Sequence, residues 1–299
     1  MGILGKGGII KEILISDKIV SNFLSGKSYN DENFPVSSIL IKKKIRYYIR
    51  KFYFFARTAD DIADHKSKKK HTKAKILKIF DTIIEKNMRS DVTVLNELID
   101  VFEELKIGRA HATNLLKAFI LDTNKQRYKN WRELLNYCKF SANPVGRYVI
   151  DISYKIEKQG EDNINQVYFA SDNLCSALQI LNHMQDCQKD YLEMNRVYIP
   201  EELFKKYSSS ISDLKLKESS YNFKNLKNEI INKVEEMLKN SKCGLKLIKI
   251  SRLRKETLII FYIAKKLCYL LRKNDPLKKK VKLSRIDLIF CFLKGIIEI

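Results

Sequence analysis

Apolar residues return at three- and four-residue intervals along nearly the whole chain, the spacing that lines one face of an α-helix. Strict apolar/polar alternation with hairpin turns, the mark of a half-buried strand, does not develop. The pattern therefore predicts an all-α protein, with helices near 10–24, 38–66, 71–87, 91–105, 109–121, 131–138, 144–158, 164–192, 221–241, 245–273 and 284–297. Asn33 to Pro35 and Asn143 to Pro144 are expected helix entries, while Pro200 and Pro276 fall just beyond expected helix ends. The Ser-rich stretch 206–220 is expected to be a surface connector. With no internal repeat and no compositional break, one domain over 1–299 is the economical organisation.

Composition supports a packed helical protein. Of 299 residues, 45% are hydrophobic and 31% charged, with only 10 Gly and 4 Pro, which excludes disordered, collagen-like and turn-rich sandwich folds. Lys and Arg total 57 against 35 Asp and Glu, a net charge of +22. Clustered cations would point to nucleic acid. Here they are spread over the chain alongside many Ile and Asn, so no nucleic-acid partner is expected, and the charge suits an anionic membrane surface or a diphosphate.

No apolar run reaches the length of a membrane span. The best, 258–271, is broken by Lys265 and Lys266. The opening MGILGKGGII lacks the longer apolar region and cleavage site of a signal peptide, and a cytoplasmic protein is expected. The six cysteines form no CxxC pair and are expected to be reduced core thiols.

Two segments depart from ordinary amphipathic patterning. In KFYFFARTADDIADH, residues 51–65, Tyr53, Arg57, Asp60 and Asp64 fall within about 60° of one another on a helix. Carboxylates at i and i+4 repel, and here an aromatic run draws them inward. In QILNHMQDCQKDYLEMNRVYIP, residues 179–200, Asn182, Asp186 and Asp190 form a second stripe, with Lys189 close to its side. Acidic i,i+4 pairs are common on solvated helix faces, but two of them on apolar helices in so basic a chain point to a shared cation. Hard oxygen donors across a helical bundle suit Mg²⁺, which leaves coordination sites for substrate phosphate. Arg57, Lys189 and Arg196 are then candidates for diphosphate oxygens. Neither GxxxxGK[ST] nor GxGxxG is present, which disfavours a nucleotide.

At these residues the chain resembles the squalene/phytoene synthase family. ARTADDIAD and NHMQDCQKDYLEMNRVYIP are similar to its two aspartate-rich signatures, and YCKFSANPVGRYV, residues 137–149, resembles a central segment between them. DENFPVSS and SANPVGR are most similar to the bacterial hydroxysqualene synthase branch of the hopanoid pathway. The resemblance implies a helical bundle around a hydrophobic cavity, Mg²⁺ as cofactor and a prenyl diphosphate substrate. It further implies metal ligation by Asp60, Asp64, Asn182, Asp186 and Asp190. Catalytic roles would fall to Tyr53, Arg57 and Tyr137, and substrate contacts to Phe34, Tyr53, Arg57, Gln179, Lys189, Arg196, Tyr198 and Tyr262. One position departs: Gln185 stands where relatives often carry Arg.

The implied reaction is ionisation of presqualene diphosphate followed by capture of water. Mg²⁺ and cations would stabilise the leaving group, and aromatic faces such as Phe34, Tyr53 and Tyr137 the carbocation. Head-to-head condensation of two prenyl diphosphates is the alternative enzyme reading, and a basic scaffold for membrane or nucleic acid the non-enzyme one. Seven Lys or Arg in 272–285, followed by the apolar segment 286–299, are expected either to touch an anionic membrane peripherally or simply to pack on the bundle.

Overall fold

The computed structural model describes residues 15–26, 40–160 and 162–298. Among them no strand forms beyond one isolated bridge between Ser16 and Asp91. Phe34, the expected entry at Asn33 to Pro35 and part of the expected helix 10–24 lie outside the described residues.

The first half is built on α1 (Asp17–Ser21), α2 (Lys43–Asp64), α3 (Lys70–Glu85), α4 (Thr93–Leu105) and α5 (Ala110–Asp122). Helix α2 buries Ile45, Tyr48, Ile49, Phe52, Phe55, Ala59 and Ile62, a run at helical spacing. Phe55 is fully enclosed, and Phe55→Ala would cost about 3–5 kcal/mol through lost burial and the cavity left behind. These helices share one apolar cluster, into which α7 (Asn143–Glu157) contributes Tyr148 and Ile152. Tyr148 stacks on Phe52 at 3.9 Å between ring centres and donates its hydroxyl to the Tyr48 carbonyl at 3.1 Å.

A second cluster gathers α6 (Trp131–Ser141), α8 (Ile164–Gln185), α9 (Cys187–Met194), α10 (Glu201–Lys206), α11 (Tyr221–Lys246), α12 (Ser251–Lys273) and α13 (Arg285–Ile297). Asn130, Ser220 and Ser284 accept backbone N–H groups at the starts of α6, α11 and α13, satisfying donors that a helix leaves open. Helices α8 and α11 approach closely at Gly244, where a Cβ would lie 2.6 Å from both the Ala170 Cβ and the Gln166 carbonyl.

Several expected boundaries move for physical reasons. The expected break near 241–245 lies inside α11, because Gly244 serves close packing rather than a turn. The expected helix 164–192 divides at Asp186, whose φ of −108° and ψ of 11° turn the chain between α8 and α9. Within 206–220 a short 3₁₀ turn forms at Ile211–Lys215, held by reciprocal bonds between Ser210 and Asp213. All six cysteines are free, but Cys243 is exposed on α11 and is not a core thiol.

Candidate active site

The acidic motifs meet at the seam between the two apolar clusters. From α2, Arg57 pairs with Asp60 at 3.1 Å and, four residues on, with the buried Asp61. Asp61 also accepts the backbone N–H and hydroxyl of Ser25 at 2.9 and 3.0 Å. It thus holds Arg57 in place and fastens the 15–26 segment to the site. Tyr53 lies one turn earlier on the same face, half-buried.

Asp60 is crowded. Burial, with the neighbouring Asp64 charge, pushes its carboxyl up to about 8 against the pull of Arg57. Its side chain is still 35% accessible.

Arg196 stands opposite α2, buried just beyond α9. Its guanidinium donates to Asp64 Oδ1 at 3.0 Å, to the Tyr198 hydroxyl at 3.1 Å and to the Asp122 carbonyl at 3.1 Å. Asp122, the last residue of α5, accepts the Tyr137 hydroxyl at 2.7 Å. Burial pushes the Asp122 carboxyl up to about 7, while Arg196 and the Tyr137 bond oppose the rise. Tyr198 stacks on His183 at 3.4 Å between centres, and His183 meets Gln179 at 3.1 Å. Burial, reinforced by Arg196, lowers His183 to about 3, so the ring is neutral and packs on Tyr198.

The second motif turns in from α8 and α9. Burial first, then Asp186, raises Asp190 to about 7; Arg196 opposes the rise, and the Asp64 charge from α2 adds to it. Arg196 links the two motifs, its guanidinium donating to Asp64 and its backbone N–H to the Asp190 carbonyl at 3.1 Å. Asp186 accepts Lys280 Nζ at 2.9 Å, from the segment between α12 and α13. Asn182 sits half-buried one turn before Asp186. Lys189 is exposed, and its charge offsets part of the Asp190 shift.

Of the expected site residues, the structure thus brings together Arg57, Asp60, Asp64, Tyr137, Gln179, Asn182, Asp186, Asp190, Arg196 and Tyr198. Tyr262 stands apart: it is half-buried on α12 beside Phe261 and beneath Lys294, and among the described residues no hydrogen bond or ring contact links it to the acidic cluster. Gln185 is buried and donates to the Val281 carbonyl, next to the Lys280 that pairs with Asp186. Asp122 and Lys280 were not singled out by sequence reasoning. A lone acid closing the apolar run AFILD was the available signal for Asp122; Lys280, the last of three lysines, had none.

No group of three or more His, Cys, Asp or Glu converges to ligating distance among the described residues. The donor set nonetheless fits a hard divalent cation. Asp60, Asp64 and Asp190 are oxygen donors crowded enough to raise two of them far above the usual carboxylate range, a cost that a bound dication removes.

An all-helical bundle with two opposed acidic motifs at its seam has the architecture of the isoprenoid synthases, and the comparisons agree. A dehydrosqualene synthase crystallised with a ligand has the same fold, with a TM-score of 0.75 over 93% of each chain at 18% identity. The hydroxysqualene synthases of Sinorhizobium fredii and Rhodopseudomonas palustris are 36% and 35% identical, over 89% and 90% of this chain and 88% and 89% of theirs. The family model for squalene/phytoene synthase matches residues 28–287. The chain belongs to the squalene/phytoene synthase family.

Proposed function

We propose that this enzyme converts presqualene diphosphate and water to hydroxysqualene and diphosphate, a step of squalene and hopanoid biosynthesis. Similarity to hydroxysqualene synthases along nearly the whole chain supports the choice of reaction. The observation that carries the chemistry is the cross-helix crowding of Asp60, Asp64 and Asp190 beside Arg57 and Arg196.

Asp60 and Asp64 on one side, with Asn182, Asp186 and Asp190 on the other, would hold Mg²⁺. A cation held by these oxygens would supply neutralisation of the charge on the departing diphosphate. Arg57, Lys189 and Arg196 bind diphosphate oxygens, and Gln179 positions the substrate beside His183. The carbon–oxygen bond breaks with its electron pair on the diphosphate, water supplies the pair that forms the new carbon–oxygen bond, and its proton passes to the released diphosphate. Tyr53 and Tyr137 present aromatic faces to the cation. Tyr137, fixed by its bond to Asp122, also orients the water. Tyr198 holds Arg196 from behind.

The two apolar clusters act as one catalytic unit, because the site needs α2 from one and α8 and α9 from the other. Substrate and product are long hydrocarbons that partition into lipid, so the enzyme works in the cytoplasm at a membrane face. No helix among the described residues is long and apolar enough to cross the membrane.

Incubation of the purified enzyme with presqualene diphosphate and Mg²⁺, without a nicotinamide cofactor, tests the reading: it predicts hydroxysqualene. Turnover of farnesyl diphosphate alone would instead favour head-to-head condensation.

A further inference from the structure

Helix α13 is amphipathic the wrong way round. Its inward face carries Asp287, Cys291, Gly295 and Glu298, while Ile286, Ile289, Phe290, Leu293 and Ile297 lie on the opposite face and are 52–80% exposed. At about 100° per residue these five occupy one continuous arc. An ordinary surface helix buries such a stripe.

The inversion is held in place. Gly295 sits so close to α12 that a Cβ there would lie 2.5 Å from Ile259 Cγ1 and 2.6 Å from the Ile259 backbone nitrogen. Asp287 pairs with Lys266 at 2.9 Å, and Glu298 pairs with Lys242 and Lys246. Two ion-paired ends and a glycine contact fix the helix with its apolar arc outward. A five-residue apolar stripe on a rigid support marks an interaction surface.

Its surroundings identify what covers it. Arg285 at the start of the helix and Lys279 and Lys282 in the segment that leads into it are exposed, and none forms an ion pair among the described residues. Lys294 borders the arc, 4.5 Å from the centre of the Phe290 ring. The two acids of the helix are already neutralised by the lysines behind it. A two-fold contact with a second copy would set these cationic rims against each other in a chain of net charge +22. An anionic bilayer offers acyl chains to the arc and negative headgroups to the rim. At 13 residues, α13 spans about 20 Å, too short for the roughly 30 Å hydrocarbon core, so it lies along the interface.

We infer that α13 and its basic rim dock this protein on an anionic lipid surface, with Ile286, Ile289, Phe290, Leu293 and Ile297 entering the acyl region. This gives the peripheral location proposed above a specific surface. It rests on α13 and not on the reaction, so the test is made without substrate.

The test is co-sedimentation of the full chain with phosphatidylcholine vesicles, with and without one third phosphatidylglycerol, at low and high salt. The expected result is binding to the anionic vesicles only, weakened by salt. Lys279→Ser, Lys282→Ser and Arg285→Ser combined should weaken it on the order of a hundredfold, at about fivefold per cation. Phe290→Ser with Leu293→Ser should weaken it at least about tenfold through lost apolar burial. Both variants should keep the wild-type melting temperature. Ile286→Ser with Ile297→Ser, at the two most exposed positions, gives the same reading should the first apolar pair disturb the helix. Absence of binding at low salt overturns the inference, as does binding that all the apolar variants leave unchanged. So does a dimer seen by ultracentrifugation that the apolar variants dissolve while vesicles bind nothing.

Discussion

Arg196 and Asp64, 132 positions apart in the chain, meet at 3.0 Å across the seam of the molecule. The same guanidinium reaches the carbonyl of Asp122 at the end of α5, so one buried side chain joins the first acidic motif, the second motif's segment and a third helix. A buried cation of this kind is costly without partners and strongly held with them.

Arg196→Ala is accordingly expected to lower stability by about 3–5 kcal/mol, because it leaves the Asp64 and Asp122 carboxylates without their countercharge. Arg196→Lys should recover part of the stability but little of the activity, since one ammonium cannot serve three acceptors in a fork. Melting curves and turnover measured on both variants check this.

Asp60→Asn and Asp186→Asn should each abolish turnover while circular dichroism stays unchanged. They should also separate site from fold. Asp60 has a folded-state value near 8, above its ordinary 3.8, so the folded protein binds its proton more tightly and metal-free stability falls as pH rises from about 4 to about 8. Asparagine cannot ionise, and Asp60→Asn should flatten that decline in chelator. Excess Mg²⁺ at 100 times its Kd should stabilise the wild type by about 2.7 kcal/mol and the variant far less.

His183 gives a decline of the opposite sign. Its folded value of about 3 lies below the ordinary 6.5, so the unfolded chain binds the extra proton, and stability rises with pH through that window and is lost as pH falls towards 3. His183→Phe, which preserves a ring against Tyr198, should remove this component. Urea unfolding at several acidic pH values measures it.

Gly244→Val should cost about 1–3 kcal/mol by driving α8 and α11 apart. Gly108→Ala, where an added Cβ meets nothing within 4 Å, should be neutral or stabilising by up to about 1 kcal/mol. Thermal melts of the two variants side by side distinguish a packing glycine from a connector glycine.

Most of this organisation was legible from residue spacing. The 3.6-residue period located the long helices, and the i,i+4 spacing put Asp60 and Asp64 on one face of α2, because helix geometry is local; the second stripe was expected on one helix, which instead divides at Asp186. What spacing could not supply were the partners that only folding brings near. Asp122 looks like a helix-end acid until α5 delivers it beneath Arg196 and Tyr137, and Lys280 is indistinguishable from its neighbours until the segment before α13 folds over Asp186. The helix boundary expected at 241–245 failed for a related reason: Gly244 packs against Ala170 inside α11, and tertiary packing overrides glycine's weak helix preference. Helix α13 showed its apolar run in the sequence, yet which side of it faces α12 depends on Gly295 and two ion pairs.

The central claim is that water ends the reaction at a site built from both acidic motifs. The most direct measurement is the product of presqualene diphosphate and Mg²⁺ in water enriched in heavy oxygen, analysed by mass spectrometry. The account predicts hydroxysqualene with heavy oxygen in its hydroxyl group, and none from Asp60→Asn. A hydrocarbon product, or an alcohol without the label, would contradict it.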